Sequence, residues 1–179
     1  MLMLYQRMTN RSQGFTLVEL ISVLLVLSIV AVVVLPRFTG TQSFQNRQLL
    51  DQLIAITRFS QQSALSRYNH QITLNLSQQA VSGDWLFRVL ANDGSGDIEL
   101  KRLITERGSG TLSLLSPQTV TINALTTLSI GFDNLGNITA PQISGTNSNL
   151  SFNASGRFFC ISLAGYAYEA ASQADCENN

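Results

Sequence analysis

Hydrophobic positions follow three different patterns along the chain. From Phe15 to Leu35 they are nearly continuous, 21 residues with one charged side chain, Glu19. At 1.5 Å per residue, a helix of that length spans roughly 30 Å, the hydrocarbon core of a bilayer, so the run predicts a membrane-crossing helix. From Thr41 to Tyr68 neither Pro nor Gly occurs. Leu50, Leu53, Ile54, Thr57, Ala64, Leu65 and Tyr68 recur there at three-and-four spacing, while Arg47, Asp51, Arg58 and Arg67 fall largely off that stripe. This predicts an amphipathic helix ending at Asn69-His70. Pro36 lies between the two segments. It lacks an N–H and crowds the preceding turn, so it predicts a kink or break near Leu35, and Gly40 adds a second weak point.

Beyond His70 the pattern becomes alternation. Ile72, Leu74 and Leu76 interleave with polar residues, and Trp85, Phe87 and Val89 do so opposite Leu86, Arg88 and Leu90. Both read as half-buried strands. Asn92-Asp93-Gly94-Ser95-Gly96 has turn chemistry, and a strand over Ile98–Ile104 completes a hairpin. Further strands are predicted at Thr111–Leu115, Val120–Asn123, Leu128–Phe132, Leu150–Asn153 and Phe158–Leu163, separated by Gly/Asn/Ser clusters. The fold class is α+β, a long helix packed on an antiparallel β-sheet domain.

Composition adds modest limits. The chain has 179 residues, with 11 basic and 11 acidic side chains. Without a basic excess, nucleic acid is not an expected partner. Ser, Thr, Asn, Gln and Gly dominate the second half and Lys is scarce, which suits a β-rich domain outside the cytoplasm.

The first 14 residues carry Arg7 and Arg11 and no acid. Positive charge on this flank keeps it cytoplasmic and sends the C-terminal side across the membrane. A secretory signal would have a shorter apolar core followed by small residues in an A-x-A arrangement. Here the run ends in Val33-Val34-Leu35-Pro36-Arg37, so the apolar segment reads as an anchor that is kept.

Gly14-Phe15-Thr16-Leu17-Val18-Glu19, after a short basic leader and before a long apolar run, resembles the prepilin signature of type IV pilins and of the pseudopilins of type II secretion. The resemblance implies cleavage between Gly14 and Phe15 by a membrane-bound prepilin peptidase and N-methylation of Phe15. It also implies a helix that resumes beyond Pro36. The domain plan is then a leader over 1–14, a transmembrane helix over 15–35, its continuation over 36–68, and a globular periplasmic or extracellular domain over 69–179. Partners would be other pilin subunits, the peptidase, an inner-membrane assembly platform and the lipid bilayer. Within the globular part, Phe132-Asp133-Asn134-Leu135-Gly136, Leu150-Ser151-Phe152 and Ser155-Gly156-Arg157 look like the minor pilins and pseudopilins of the GspH/FimT group, the MSHA-type minor pilins in particular. Leu135 stands where that group usually has Pro.

Glu19 is the anomaly of the apolar run. A carboxylate at the centre of a membrane helix costs about 2.5–3.5 kcal/mol on insertion scales, and less near the interface. The resemblance implies that it pairs with the N-terminal amine of a neighbouring subunit and so fixes axial register. Pairing with its own chain's amine, protonation, or simple tolerance near the interface are the other readings. Cys160 and Cys176 are the two cysteines, and in an extracytoplasmic domain they are expected to form a disulfide. The resemblance likens this to the disulfide-closed C-terminal loop of pilins.

Catalytic and metal chemistry find little support. No nucleophile elbow and no phosphate-binding Gly-Lys-Ser/Thr loop is present, and His70 is the sole histidine. Asp93, Asp97 and Glu99 could offer oxygen ligands to Ca²⁺, but their spacing departs from an EF-hand loop and fits a hairpin turn better. The expectation is a structural protein without cofactor or resident metal. A minor type IV pilin subunit is favoured over a type II secretion pseudopilin.

Overall fold

A computed structural model of the chain describes residues 16–34, 41–107, 110–141 and 148–177. These belong to two compact units, one within 1–40 and the other spanning 41–179. In the first, a single helix, α1, covers Leu17–Val34. The positions expected to be cleaved or kinked, Gly14, Phe15 and Pro36, lie outside the described residues.

The second unit opens with α2, Thr41–Ser66. Its buried positions are Leu49, Leu50, Leu53, Ile56, Thr57, Ser60, Ser63 and Ala64. That is one helical face, but not the one expected at its C-terminal end, because Leu65 and Tyr68 are 56% and 77% exposed. Ser60 and Ser63 take the inward places, and the Ser60 hydroxyl donates to the Ile56 carbonyl at 2.9 Å. That hydroxyl is satisfied on the helix backbone, and the small side chains at both positions let the helix approach the sheets closely. The helix stops at Ser66, just after its last buried residues, so packing rather than propensity sets its end.

Ten described strands follow. They are β1 Gln71–Gln78, β2 Trp85–Asn92, β3 Asp97–Thr105, β4 Leu112–Ser116, β5 Val120–Thr121, β6 Leu128–Phe132, β7 Ile138–Ala140, β8 Leu150–Ala154, β9 Arg157–Ile161 and β10 Ala167–Ala170. A short helix, α3, covers Gln173–Glu177. The strands form two antiparallel five-stranded sheets, ordered β3-β2-β1-β6-β7 and β10-β9-β8-β4-β5, so the expected antiparallel β-sheet domain is built of two sheets. Periodicity tells which face of a strand is buried but not which strand it pairs with.

One core joins both sheets to α2. Ile72, Leu74, Leu76, Trp85, Phe87, Ile130 and Phe132 enter from the first sheet, and Leu112, Leu114, Phe152, Phe159 and Ile161 from the second. Phe152 and Phe159 are cross-strand neighbours with ring centroids 5.3 Å apart. Burying a side chain of this size contributes roughly 1.5–3 kcal/mol. The alternation expected along β2 breaks at a bulge between Val89 and Leu90, so Val89, Leu90 and Ala91 are buried in succession.

Candidate functional site

The first candidate is α1. Thr16 precedes it with a carbonyl that accepts the Leu20 N–H at 3.2 Å. Its hydroxyl accepts the Glu19 N–H at 3.3 Å. Thr16 is therefore the N-cap and Glu19 the third helical residue, the Thr-x-x-Glu spacing of a capping box. Further along, Ser22 and Ser28 donate their hydroxyls to the carbonyls of Glu19 and Leu24, each at 2.8 Å. Every residue from Thr16 to Ala31 is exposed, and Leu, Ile and Val cover all sides of the helix. A helix apolar all round belongs in lipid or among other apolar helices. Its polar groups already fit such a place, because the cap and both serines bond back onto the helix. The Glu19 carboxylate differs, since among the described residues no side chain pairs with it.

The 18 residues of α1 span about 27 Å at 1.5 Å per residue. Among the described residues no helix is long and apolar enough to cross a membrane. The flanking Phe15 and Leu35, which bring the apolar run of the sequence to bilayer length, lie outside the described residues.

The second candidate is the C-terminal segment. Cys160 on β9 and Cys176 on α3 form a disulfide, with Cα atoms 5.5 Å apart and both residues fully buried. Asn149 fastens the same segment. Its Nδ2 donates to the Cys176 carbonyl at 3.0 Å, and its Oδ1 accepts the Leu163 N–H at 2.9 Å. Asn149 had no signal in the sequence, because its partners are 27 and 14 residues away. The turn between β9 and β10 is tied to the helix by Gln61, which donates to the Ala164 carbonyl at 2.6 Å. Glu169 on β10 accepts from Arg47 of α2 and Arg157 of β9, each at 3.0 Å. The segment is thus fixed to α2 and to β9.

The groups that could have carried chemistry are engaged in local structure. Asp93 is exposed in the β2–β3 turn, where the hydroxyl and then the amide of Ser95 hold its carboxyl below the usual value. Asp97 accepts from Asn92 Nδ2 at 2.6 Å. Glu99 lies between Arg102 and Arg88, with nitrogen–oxygen distances of 2.9 and 2.7 Å. Their hydrogen bonds, Arg102 first, lower its pKa, and Glu99 in turn raises that of Arg102. Among the described residues no His, Cys, Asp and Glu cluster could hold a metal ion. His70 lines an open hollow of about 370 Å³ with Tyr68, Gln71, Phe132, Asp133 and Thr139. The Asp133 carboxylate there accepts the Leu135 and Asn137 amides at 2.9 and 2.8 Å, so it serves the turn rather than His70.

Residues 9–35 match the prokaryotic N-terminal methylation motif. This is the prepilin signal of type IV pilin-like proteins, and the match takes in Gly14, Phe15, Thr16 and Glu19. It implies processing by a prepilin peptidase and association with other pilin-like subunits. No curated protein and no solved structure matches the chain.

Proposed function

We propose that the chain is a minor structural subunit of a type IV pilus, of the MSHA kind and akin to MshC, without enzymatic activity. Prepilin peptidase cuts between Gly14 and Phe15 and methylates the new terminal amine. The apolar segment 15–35 holds the subunit in the bacterial inner membrane, with its N-terminus cytoplasmic and residues 69–179 in the periplasm. An assembly platform then draws the subunit into a filament at the cell surface, through contacts between apolar helices.

The observation that carries this reading is the methylation motif over residues 9–35. The polar groups of α1 give it physical sense. Thr16, Ser22 and Ser28 bond within the helix, which leaves the Glu19 carboxylate as the group with something still to bind. In a filament of packed apolar helices an uncompensated carboxylate is costly, and the Phe15 amine of a neighbour is a partner of opposite charge. Pairing there sets the axial register between subunits. A pseudopilin of type II secretion, of the GspH kind, shares the signal. The disulfide between Cys160 and Cys176 favours the pilus, because pseudopilins of that group usually lack such a C-terminal loop.

The test is Glu19→Val, followed in membranes and in sheared filaments. Insertion and cleavage persist, and incorporation into filaments is lost. Recovery of the Val variant in filaments at the wild-type level contradicts the role of Glu19.

A further inference from the structure

Strand register gives the folded unit 41–179 two distinct ends. β1 starts at Gln71, just beyond the C-terminal end of α2, and runs to Gln78. β6 lies antiparallel to it, with Leu128 opposite Leu76 and Phe132 opposite Ile72. The β1–β2 turn, residues 79–84, and the turn over 123–126 therefore share one end. The turn over 133–137 lies at the other, with residues 67–70. The helix runs between the same limits. Gln52 bonds to Thr105, which pairs with Trp85 beside the β1–β2 turn. Leu65 lies against Gly136, and Gln61 bonds to Ala164.

Both ends expose apolar side chains. At the first, Val81 and Leu125 occupy the two turn tips, 102% and 98% exposed, and Phe44 near the start of α2 is exposed as well. At the second, Leu65, Tyr68, Leu135 and Leu163 are exposed. Leu163 belongs there because its carbonyl accepts the Ile138 N–H at 2.9 Å. Turn tips ordinarily take polar residues, so apolar ones mark contact surfaces.

The charges at the two ends are opposite. Asp84 and Glu106 flank the first end, each next to one of the paired residues Trp85 and Thr105. Among the described residues neither carboxylate has an ion-pair partner. Arg107 there is engaged by the Gly110 carbonyl at 3.1 Å. At the second end Arg67 is exposed and equally without an ion-pair partner among the described residues, while Asp133 is taken up by turn amides.

We propose that the two ends are the halves of one contact between copies of this chain, the Arg67 end of one copy seated on the Asp84 and Glu106 end of another. The apolar tips supply the attraction, as burial removes them from water. The charges select the orientation, because opposite signs meet head to tail and like signs meet in both symmetric arrangements. The contact is heterologous. Each copy keeps one end for a further copy, so the domains line up in an open row instead of closing as a pair. This inference goes beyond the reading of residues 15–35 and does not depend on it.

Cross-linking of full-length chains purified in detergent tests it. Cys160 and Cys176 are buried and bonded to each other, so an introduced thiol is the one a bismaleimide reaches. One tagged chain carries Val81→Cys and a differently tagged chain carries Tyr68→Cys. A short bismaleimide should join the mixed pair several-fold more than either variant alone at the same total concentration. Arg67→Glu in the Tyr68→Cys chain should cut that yield several-fold, and Asp84→Lys with Glu106→Lys in the other chain should restore it. No adduct, or equal yields in the mixed and single-variant samples as association through α1 alone would give, overturns the contact. So does a yield that is highest with one variant alone, which assigns that end to a symmetric pair, and so does a mixed yield indifferent to the charge reversals. Each of these outcomes leaves cleavage at Gly14 as a separate question, answered by the mass of the chain.

Discussion

Gly165 lies so close to Gly136 that a Cβ on Gly165 would overlap the Gly136 carbonyl oxygen. Gly165 occupies the turn between β9 and β10 and Gly136 the turn between β6 and β7, so this contact locks the edge of one sheet to the other. Both residues have positive φ, 74° and 80°. At Gly165 the obstacle is backbone that cannot swing aside, whereas at Gly136 a Cβ would meet the Gln61 side chain at 3.0 Å. Gly165→Ala is therefore expected to lose at least about 2 kcal/mol, the left-handed backbone alone costing about 1–2. Gly136→Ala should lose less. Thermal unfolding of the two variants ranks them, and equal losses contradict the backbone overlap.

The disulfide and Asn149 both hold the C-terminal segment at Cys176. In the chain-entropy model, a loop of the 16-residue separation between Cys160 and Cys176 is worth about 3 kcal/mol. Cys176→Ser should lower stability by about that much and speed amide exchange in α3. Asn149→Ala removes two hydrogen bonds to backbone groups, at about 1–3 kcal/mol, and should speed exchange at Leu163 with the disulfide intact. Unchanged exchange at Leu163 in the Asn149 variant would show that the clamp is not needed.

Glu99 carries a sign that pH can check. Arg102 and Arg88 lower its pKa in the folded chain. The stabilisation is complete above the ordinary carboxylate value, about 4.3, and is lost as pH falls through the lowered folded value. Glu99→Gln should flatten the acid limb of the stability profile and leave the difference near neutrality small, since these side chains are exposed and screened. A variant that steepens that limb contradicts the assignment.

Much of this arrangement is legible in the sequence. Alternation located β1, β2 and β6, and turn residues located the β2–β3 hairpin. The three-residue β7, the four-residue β10 and the five-residue α3 are too short to show a period, and each is held by contacts distant in sequence. Leu65 and Tyr68 continue the apolar stripe in the sequence but are exposed, because Ser63 and Ala64 take the inward face at that end of the helix. Thr16 is the opposite case. Its Thr-x-x-Glu spacing to Glu19 is present in the sequence, but it is concealed in a motif whose residues draw notice for processing instead.

Entry into a filament by the prepilin route would leave its mark at the N-terminus of the chain. Mass analysis of the intact protein, extracted from membranes of cells with an active prepilin peptidase, should find a chain that begins at N-methylated Phe15. The same cells should yield an uncut chain for Gly14→Val, because a branched side chain then stands at the scissile bond. A wild-type chain that still begins at Met1, in cells that process their other prepilins, would rule out the prepilin route.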